Sequence, residues 1–163
     1  MGSIDFRSWA VVALAIVSGG QTGCWSSKAC TLIGCGNSFQ VPFQPAAGHW
    51  SPGRYDVTVV ADGASGICTV TLPFDSCASA PVCTGADGWS VLESGCALAP
   101  ELHAIAGVTF TTTPKNVQIL ISLDGRQVAS GSFVPTYKVF QPNGPDCEPT
   151  CSQAVAATLV VQP

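Results

Sequence analysis

Cysteine is the residue type in this chain with the most evident chemistry, since thiols form disulfides, bind metals or act as nucleophiles. Nine cysteines in 163 residues are typical of proteins that fold in an oxidising compartment. No Cys-x2-Cys pair occurs, and only His49 and His103 could complete a zinc site, so we expect neither a metal nor another cofactor. The eight cysteines expected to pair in disulfides are Cys30, Cys35, Cys68, Cys77, Cys83, Cys96, Cys147 and Cys151.

Sequence spacing gives a first hypothesis for the disulfide pattern. Cys30 and Cys35 are close enough to pair locally, and so are Cys147 and Cys151. The other four would connect the central loop to its flanking strands. Because eight cysteines allow on the order of 100 pairings, spacing alone selects none of them.

The ninth cysteine, Cys24, follows a segment with the features of a signal peptide. Arg7 precedes an apolar run over residues 9–17, which is too short to span the roughly 30 Å hydrocarbon core of a bilayer. Residues 1–23 are therefore expected to be removed on export. Acylation of Cys24 would leave an even number of thiols, with none unpaired.

Gln21-Thr22-Gly23-Cys24 resembles the lipobox of bacterial lipoproteins, with Gln21 where that family usually has an aliphatic residue. The resemblance implies that Cys24 carries diacyl chains such as palmitate and anchors the protein to a membrane. Two acyl chains hold a protein firmly, at about 0.8 kcal/mol per buried CH₂. In these lipoproteins an acidic residue directly after the acylated cysteine is linked to retention in the inner membrane. This chain has Trp25 at that position, so the resemblance implies that the protein is anchored to the outer membrane. The alternative is a secreted or periplasmic protein.

Histidines and carboxylates could support catalysis, but no catalytic motif is present. The sequence contains no zinc-peptidase motif, P-loop or Gly-x-Ser-x-Gly elbow. His49 lies in a turn-rich segment, and His103 lies in an apolar segment where a packed histidine is the ordinary interpretation. Loop carboxylates could form an acid–base pair or a calcium site, although turn capping explains them more simply. The candidates for an acid–base pair are Asp146 with Glu148 and Asp56 with Asp62, and the candidates for a calcium site are Asp62, Asp87 and Asp146.

Aromatic side chains in irregular segments are candidates for a binding surface, because exposed rings suit a carbohydrate or protein ligand. Most large apolar side chains are buried, so packing in a core is the favoured interpretation. The aromatic residues concerned are Trp25, Phe39, Phe43, Trp50 and Trp89.

The composition indicates that these residues are positioned by a turn-rich β protein. The chain has 10 acidic and 6 basic residues, a net charge of −4, 17 glycines and 12 prolines. Charged helix-forming residues are too scarce for a helical bundle. The absence of a basic stripe argues against a nucleic-acid partner.

Alternation of apolar and polar residues predicts seven to nine short strands, and their spacing favours an all-β, disulfide-rich two-sheet sandwich. Phe39, Val41 and Phe43 mark a first strand within a tether over residues 24–50. Residues 51–163 are expected to form the sandwich domain.

Three longer segments have their own expected structures. Alternating residues 55–60 and 67–72 should pair as a hairpin across a loop at 62–66. Residues 73–88 are expected to form a loop, and residues 154–161 a single strand.

The hairpin around Asp124-Gly125 is the most specific local prediction. A type I′ turn needs positive φ at both central positions, which Asp-Gly tolerates. The turn sets a register in which Ile121 faces Val128 and Ile119 faces Ser130.

Two longer segments also resemble known families. Residues 52–59, Pro-Gly-Arg-Tyr-Asp-Val-Thr-Val, resemble a strand of transthyretin-like and carboxypeptidase-regulatory-like β-sandwiches. Residues 50–161 resemble predicted bacterial lipoproteins of unknown function. The latter resemblance implies an exported domain and no particular activity. The residues that carry this resemblance are the Tyr55 strand, Cys68 before Leu72-Pro73, Asp124-Gly125, Pro142-Asn143-Gly144-Pro145-Asp146-Cys147 and Cys151.

Three functions follow as hypotheses. The first is a membrane-anchored, extracytoplasmic binding or structural module with a protein or glycan ligand. The second is an extracytoplasmic hydrolase that uses loop carboxylates or His49. The third is a cysteine-rich protease inhibitor that presents the loop between Cys77 and Cys96.

Overall fold

The computed structural model describes residues 29–78 and 80–162. The predicted signal peptide, Cys24 and Trp25 lie outside the described residues. The described part is all-β apart from a short 3₁₀ turn at Pro100–Leu102, and none of its helices has the length and apolar character needed to cross a membrane. Its strands are β1 (Ser38–Pro45), β2 (Gly53–Ala61), β3 (Ala64–Leu72), β4 (Val82–Thr84), β5 (Trp89–Ser94), β6 (Ala104–Phe110), β7 (Val117–Leu123), β8 (Arg126–Phe133), β9 (Lys138–Phe140), β10 (Cys151–Val155) and β11 (Leu159–Val161).

Two sheets form a sandwich, which confirms the predicted fold class. One sheet has the order β5-β6-β1-β10-β9, with β11 also paired to β1, and the other has the order β4-β3-β2-β7-β8. The described strands outnumber the predicted seven to nine, in part because β4 lies inside the segment 73–88 that was expected to be a loop. The first strand is integral to the sandwich, because β1 lies in the middle of its sheet.

The core lies between the sheets and is formed by alternate residues of the strands. Tyr55, Val57 and Val59 of β2 are fully buried, as the period of two requires for a strand with one face inward. Each fully buried aliphatic or aromatic side chain contributes about 1.5–3 kcal/mol relative to an exposed one. Other fully buried side chains are Phe39, Val41, Ile105, Val108, Ile121 and Val161.

Pro42 divides one side of β1 between two partner strands. Residues 38–40 pair with β10 and residues 43–45 pair with β11, both in parallel. Proline has no N–H to donate to a neighbouring strand, and Pro42 lies in the gap between the two partners. The single strand predicted over residues 154–161 is therefore wrong, since this segment is interrupted after Val155.

Both predicted hairpins are present, and each has an Asp-Gly pair as its two-residue turn. Asp124 and Gly125 have φ of 49° and 83°, which confirms the predicted turn with positive φ at both positions. Asp62 and Gly63 have φ of 49° and 90°. The loop of the first hairpin is thus these two residues rather than residues 62–66.

The predicted register of the second hairpin is correct next to the turn, where Leu123 faces Arg126, and is wrong from Ile121 toward the start of β7. A bulge between Ile121 and Ser122 shifts the pairing, so Ile121 faces Ala129 and Ile119 faces Gly131. The bulge buries both Val128 and Ala129, because two consecutive residues then occupy the inner face. The carbonyl of Val128 accepts a hydrogen bond from the Gln162 N–H at 2.9 Å.

The disulfides confirm one half of the pairing hypothesis and contradict the other. Cys68 pairs with Cys83 and Cys77 pairs with Cys96. The first bond connects the segment 73–88 to β3 as predicted, and the second connects it to the loop that follows β5. The local pairs Cys30–Cys35 and Cys147–Cys151 are wrong. Instead, Cys30 pairs with Cys147 and Cys35 pairs with Cys151, because the N-terminal segment lies against the segment that precedes β10.

Candidate binding site at the end opposite the tether

The tether segment, residues 30–37, is fixed to one end of the sandwich. It leads into the start of β1 at Ser38. Since β10 runs parallel to β1, its first residue, Cys151, lies at the same end. The disulfides Cys30–Cys147 and Cys35–Cys151 join the tether segment to this end covalently, with Cα atoms 5.7 and 6.1 Å apart.

Asparagine side chains hold the tether segment between its two disulfides. The Asn143 amide accepts a hydrogen bond from the Ile33 N–H at 2.9 Å and donates to the Ile33 carbonyl at 3.0 Å. Asn37 accepts a hydrogen bond from the Ser152 N–H at 2.8 Å. The motif at residues 142–147 therefore binds the tether segment, through Asn143 and Cys147.

Three loops meet at the opposite end of the sandwich. Residues 46–52 connect β1 to β2, residues 73–81 follow β3, and residues 95–103 precede β6. The Cys77–Cys96 disulfide links two of these loops. A cleft of about 610 Å³ lies among all three, a size within the usual range of ligand sites.

His103 is buried beneath the cleft and joins two of these loops, residues 73–81 and 95–103. Its Nδ1 accepts a hydrogen bond from the Phe74 N–H at 2.9 Å, and the tautomer this requires leaves Nε2–H to donate to the Leu98 carbonyl at 3.3 Å. The imidazole stacks on the Phe74 ring with centroids 4.9 Å apart. This is the packed histidine that the sequence favoured, with both ring nitrogens engaged.

The cleft has an apolar lining with three ionisable side chains, His49, Glu101 and His103, of which His103 is buried. Trp50 packs edge-on against Tyr55 at 5.1 Å between ring centroids. The Tyr55 hydroxyl donates to the Ser51 carbonyl at 2.9 Å, and burial raises the pKa of this phenol above its ordinary value. The apolar lining residues are Trp50, Pro52, Leu72, Pro73, Pro100 and Leu102. We call this site the apolar cleft.

The geometry of the apolar cleft suits binding better than acid–base chemistry. The exposed His49 donates from Nδ1 to the Ala47 carbonyl at 3.1 Å, in the tautomer that leaves Nε2 as an acceptor. Within the described residues, no hydrogen bond orients His49 toward Glu101, and no serine, threonine or cysteine lines the cleft. A general base needs a positioned partner, and these side chains do not supply one.

The candidate carboxylates act mainly in local structure, and Asp56 lies within β2 rather than in a loop. Asp56 forms an ion pair with Arg54 at 3.3 Å. Asp62 accepts hydrogen bonds from two backbone N–H groups, at Lys115 and Asn116, and Glu148 accepts one from the backbone N–H of Thr150. Turn capping is thereby confirmed for Asp62. Among the described residues, no group of three or more histidines, cysteines or carboxylates could hold a metal ion.

The aromatic residues are core residues rather than an exposed binding surface. Phe39 is fully buried, and Phe43, Trp50 and Trp89 are only 7–8% exposed. The packing interpretation is therefore confirmed for these four. The sequence did not identify Leu72, Pro100 or Leu102 as site residues. Pro100 and Leu102 are exposed loop residues, whereas Leu72 is a buried residue at the end of β3.

Comparison with models of protein families, with curated proteins and with solved structures finds no match to this chain.

Proposed function

We propose that this chain is an exported, lipid-anchored protein whose sandwich domain binds an apolar segment of a partner protein in the apolar cleft. The observation that carries the proposal is that the tether segment and the apolar cleft lie at opposite ends of the domain. The tether segment is covalently fixed at one end, and disulfide-linked loops surround an apolar cleft at the other. An anchor attached to the tether would thus leave the cleft facing away from the membrane.

Disulfide pairing supports export. Eight cysteines form four disulfides, which persist in an oxidising compartment and are rare in the cytosol. Of the nine cysteines in the chain, this leaves Cys24 for acylation. The outer membrane is the proposed destination.

The lining of the cleft favours a protein ligand over a glycan. Pro52, Pro73 and Pro100 offer no backbone N–H, and Leu72 and Leu102 offer no polar side-chain group. A sugar would lose hydrogen bonds to water there without replacement, at a cost for each unpaired group. An apolar side chain of a partner protein would instead gain by burial, with His49 and Glu101 forming the polar rim that protein interfaces commonly have.

The anchor is tested by intact mass spectrometry of protein purified from bacterial membranes. We expect a mass that lacks residues 1–23, includes acyl chains and is lower by the eight hydrogens of four disulfides. Cys24→Ala should abolish acylation and release the protein from the membrane. Full-length, unacylated wild-type protein would contradict the lipid anchor, although not the binding site.

Ligand binding is tested with a random-peptide array probed by the purified, oxidised protein. We expect selected peptides to share an aromatic or aliphatic anchor and to shift the NMR signals of residues 49–52 and 98–103. Leu102→Asp should weaken their binding about tenfold or more, because it places a charge at an apolar contact. Leu120→Asp, on the outer face of β7, is the matched control. Peptides that bind both variants equally would contradict the assignment of the apolar cleft.

A further inference from the structure

A second cleft, at the same end of the sandwich as the tether segment, has the opposite chemical character. Trp89, Phe110 and Phe39 are aligned across β5, β6 and β1 near the start of β1, and Trp89 lines a cleft of about 410 Å³. We call this site the Trp89 cleft. The side chains around it that carry hydrogen-bonding groups are Asp62, Ser65, Asp87, Thr112 and Thr113.

Hydrogen bonds to Asp62 fix one side of the Trp89 cleft. Its carboxylate accepts from the Lys115 N–H at 3.0 Å and from the Asn116 N–H at 2.9 Å. These two bonds lower the pKa of Asp62 below its ordinary value, so its carboxylate is charged at neutral pH. The β2–β3 turn is thereby joined to the segment that precedes β7.

Backbone contacts fix the remaining loops. A side chain at Gly66 would clash with the carbonyl of Gly85, so the absence of a Cβ lets the segment after β4 lie directly against β3. Thr111 donates from its N–H to the Gly88 carbonyl at 2.9 Å and from its hydroxyl at 3.3 Å. Each loop around the cleft is thus bonded to a neighbour, and the cleft is preorganised.

The polar groups of the cleft are available to a ligand. Asp87 and Thr113 are exposed, and within the described residues neither side chain has a hydrogen-bond partner. Trp89 is 8% exposed and lines the cleft, so its exposed part offers a small apolar contact for a sugar ring. Carboxylates and hydroxyls around an aromatic contact match a ligand that carries many hydroxyl groups. The charges of Asp62 and Asp87 disfavour an anionic ligand.

We propose that the Trp89 cleft is a saccharide-binding site for a neutral sugar of one or two rings. Carboxylates accept hydrogen bonds from sugar hydroxyls, and a bond to a charged group is stronger than one between neutral groups. The volume of the cleft lies within the usual range of small-ligand sites. The site is separate from the apolar cleft, so it does not depend on the proposed protein partner or on the lipid anchor.

The experiment is NMR titration of the ¹⁵N-labelled, oxidised protein with cellobiose, maltose, mannobiose and di-N-acetylchitobiose. We expect at least one of them to shift the signals of residues 85–89 and 112–114 at about 10 mM or below, a concentration at which weak single-site binding is detectable. Asp87→Ala should weaken that binding about tenfold, as loss of a hydrogen bond to a charged group predicts. Asp75→Ala removes an exposed carboxylate beyond β3, at the other end of the domain, and should leave the binding unchanged.

Three results would overturn the proposal. The first is the absence of shifts at these residues with every sugar. The second is sugar binding that Asp87→Ala leaves intact. The third is a response at these residues to Ca²⁺ alone, which would make the site a cation site. Urea unfolding of both variants checks that they remain folded, as expected for exposed side chains.

Discussion

His103 is the buried side chain on which two loops of the apolar cleft converge. Because it accepts from the Phe74 N–H and donates to the Leu98 carbonyl, its removal leaves two backbone groups without partners and opens a cavity. We expect His103→Ala to lower the free energy of unfolding by about 2–4 kcal/mol. The matched variant His49→Ala removes an exposed ring and should cost less than about 0.5 kcal/mol. Urea unfolding of the oxidised proteins measures both values, and equal losses would contradict the structural role of His103.

Asp62 makes the stability of the domain depend on pH in the acid range. Its pKa is lowered from 3.8 by hydrogen bonds from the backbone at Lys115 and Asn116. The carboxylate of the folded state therefore contributes stability that is fully present above the unfolded-state pKa and is lost as the pH falls through the folded-state pKa. We expect Asp62→Asn to flatten the decline of stability below about pH 4, measured by urea midpoints at several pH values. Asp75→Asn controls for the change in net charge, and the same flattening in that variant would contradict the assignment.

At the scale of single strands, the close approach of β1 and β6 depends on Gly107. Its φ is 154°, and a Cβ there would meet the Val41 carbonyl and the Pro42 Cα atom. We expect Gly107→Ala to cost about 1–3 kcal/mol, because backbone atoms of a central strand cannot move aside cheaply. Gly36→Ala, where a Cβ would meet open space, should be close to neutral. Thermal unfolding of the two variants measures the difference, and similar midpoints would show that the two strands can separate without cost.

Local signals in the sequence predict individual strands better than their partners. Alternation identifies the inward face of β2, and Asp124-Gly125 identifies a hairpin, since both patterns depend on neighbouring residues alone. The bulge opposite Ile121 and the change of partner at Pro42 depend on segments far away in the chain. The local disulfide hypothesis fails for the same reason, because Cys30 finds its partner at a separation of 117 residues.

The same limit applies to the candidate sites. The apolar cleft combines three loops that are distant in sequence, so Pro52, Leu72 and Leu102 show no shared pattern before folding. His103 could be interpreted from its apolar neighbours alone. Trp89 was identified as an aromatic candidate, but its cleft depends on the contact between Gly66 and Gly85, for which the sequence gives no signal.

At the scale of the whole molecule, the two tether disulfides determine where a pulling force enters the domain. A force applied N-terminal to Cys30 passes through the Cys30–Cys147 disulfide directly to the C-terminal segment. Once β10 and β11 have detached from β1, the chain between these cysteines cannot be extended further. If that disulfide is removed, Cys35–Cys151 takes the force at almost the same points in the chain. The two bonds are therefore mechanically redundant. This redundancy suits a domain that is held at its N-terminal end.

Single-molecule stretching between the N-terminus and Pro163 tests this load path. We expect Cys30→Ser/Cys147→Ser, or Cys35→Ser/Cys151→Ser, to leave the final extension almost unchanged. Removal of both pairs should lengthen it by on the order of 300 Å, at about 3.3–3.6 Å per residue. Most of the chain between Cys30 and Cys147, which are separated by 117 positions, then becomes extensible, while the two remaining disulfides retain part of it. Cys68→Ser/Cys83→Ser, inside the shielded loop, should have no effect while the tether disulfides are intact. A large gain in extension from either single pair would show that the other bond does not form, and would contradict the redundancy.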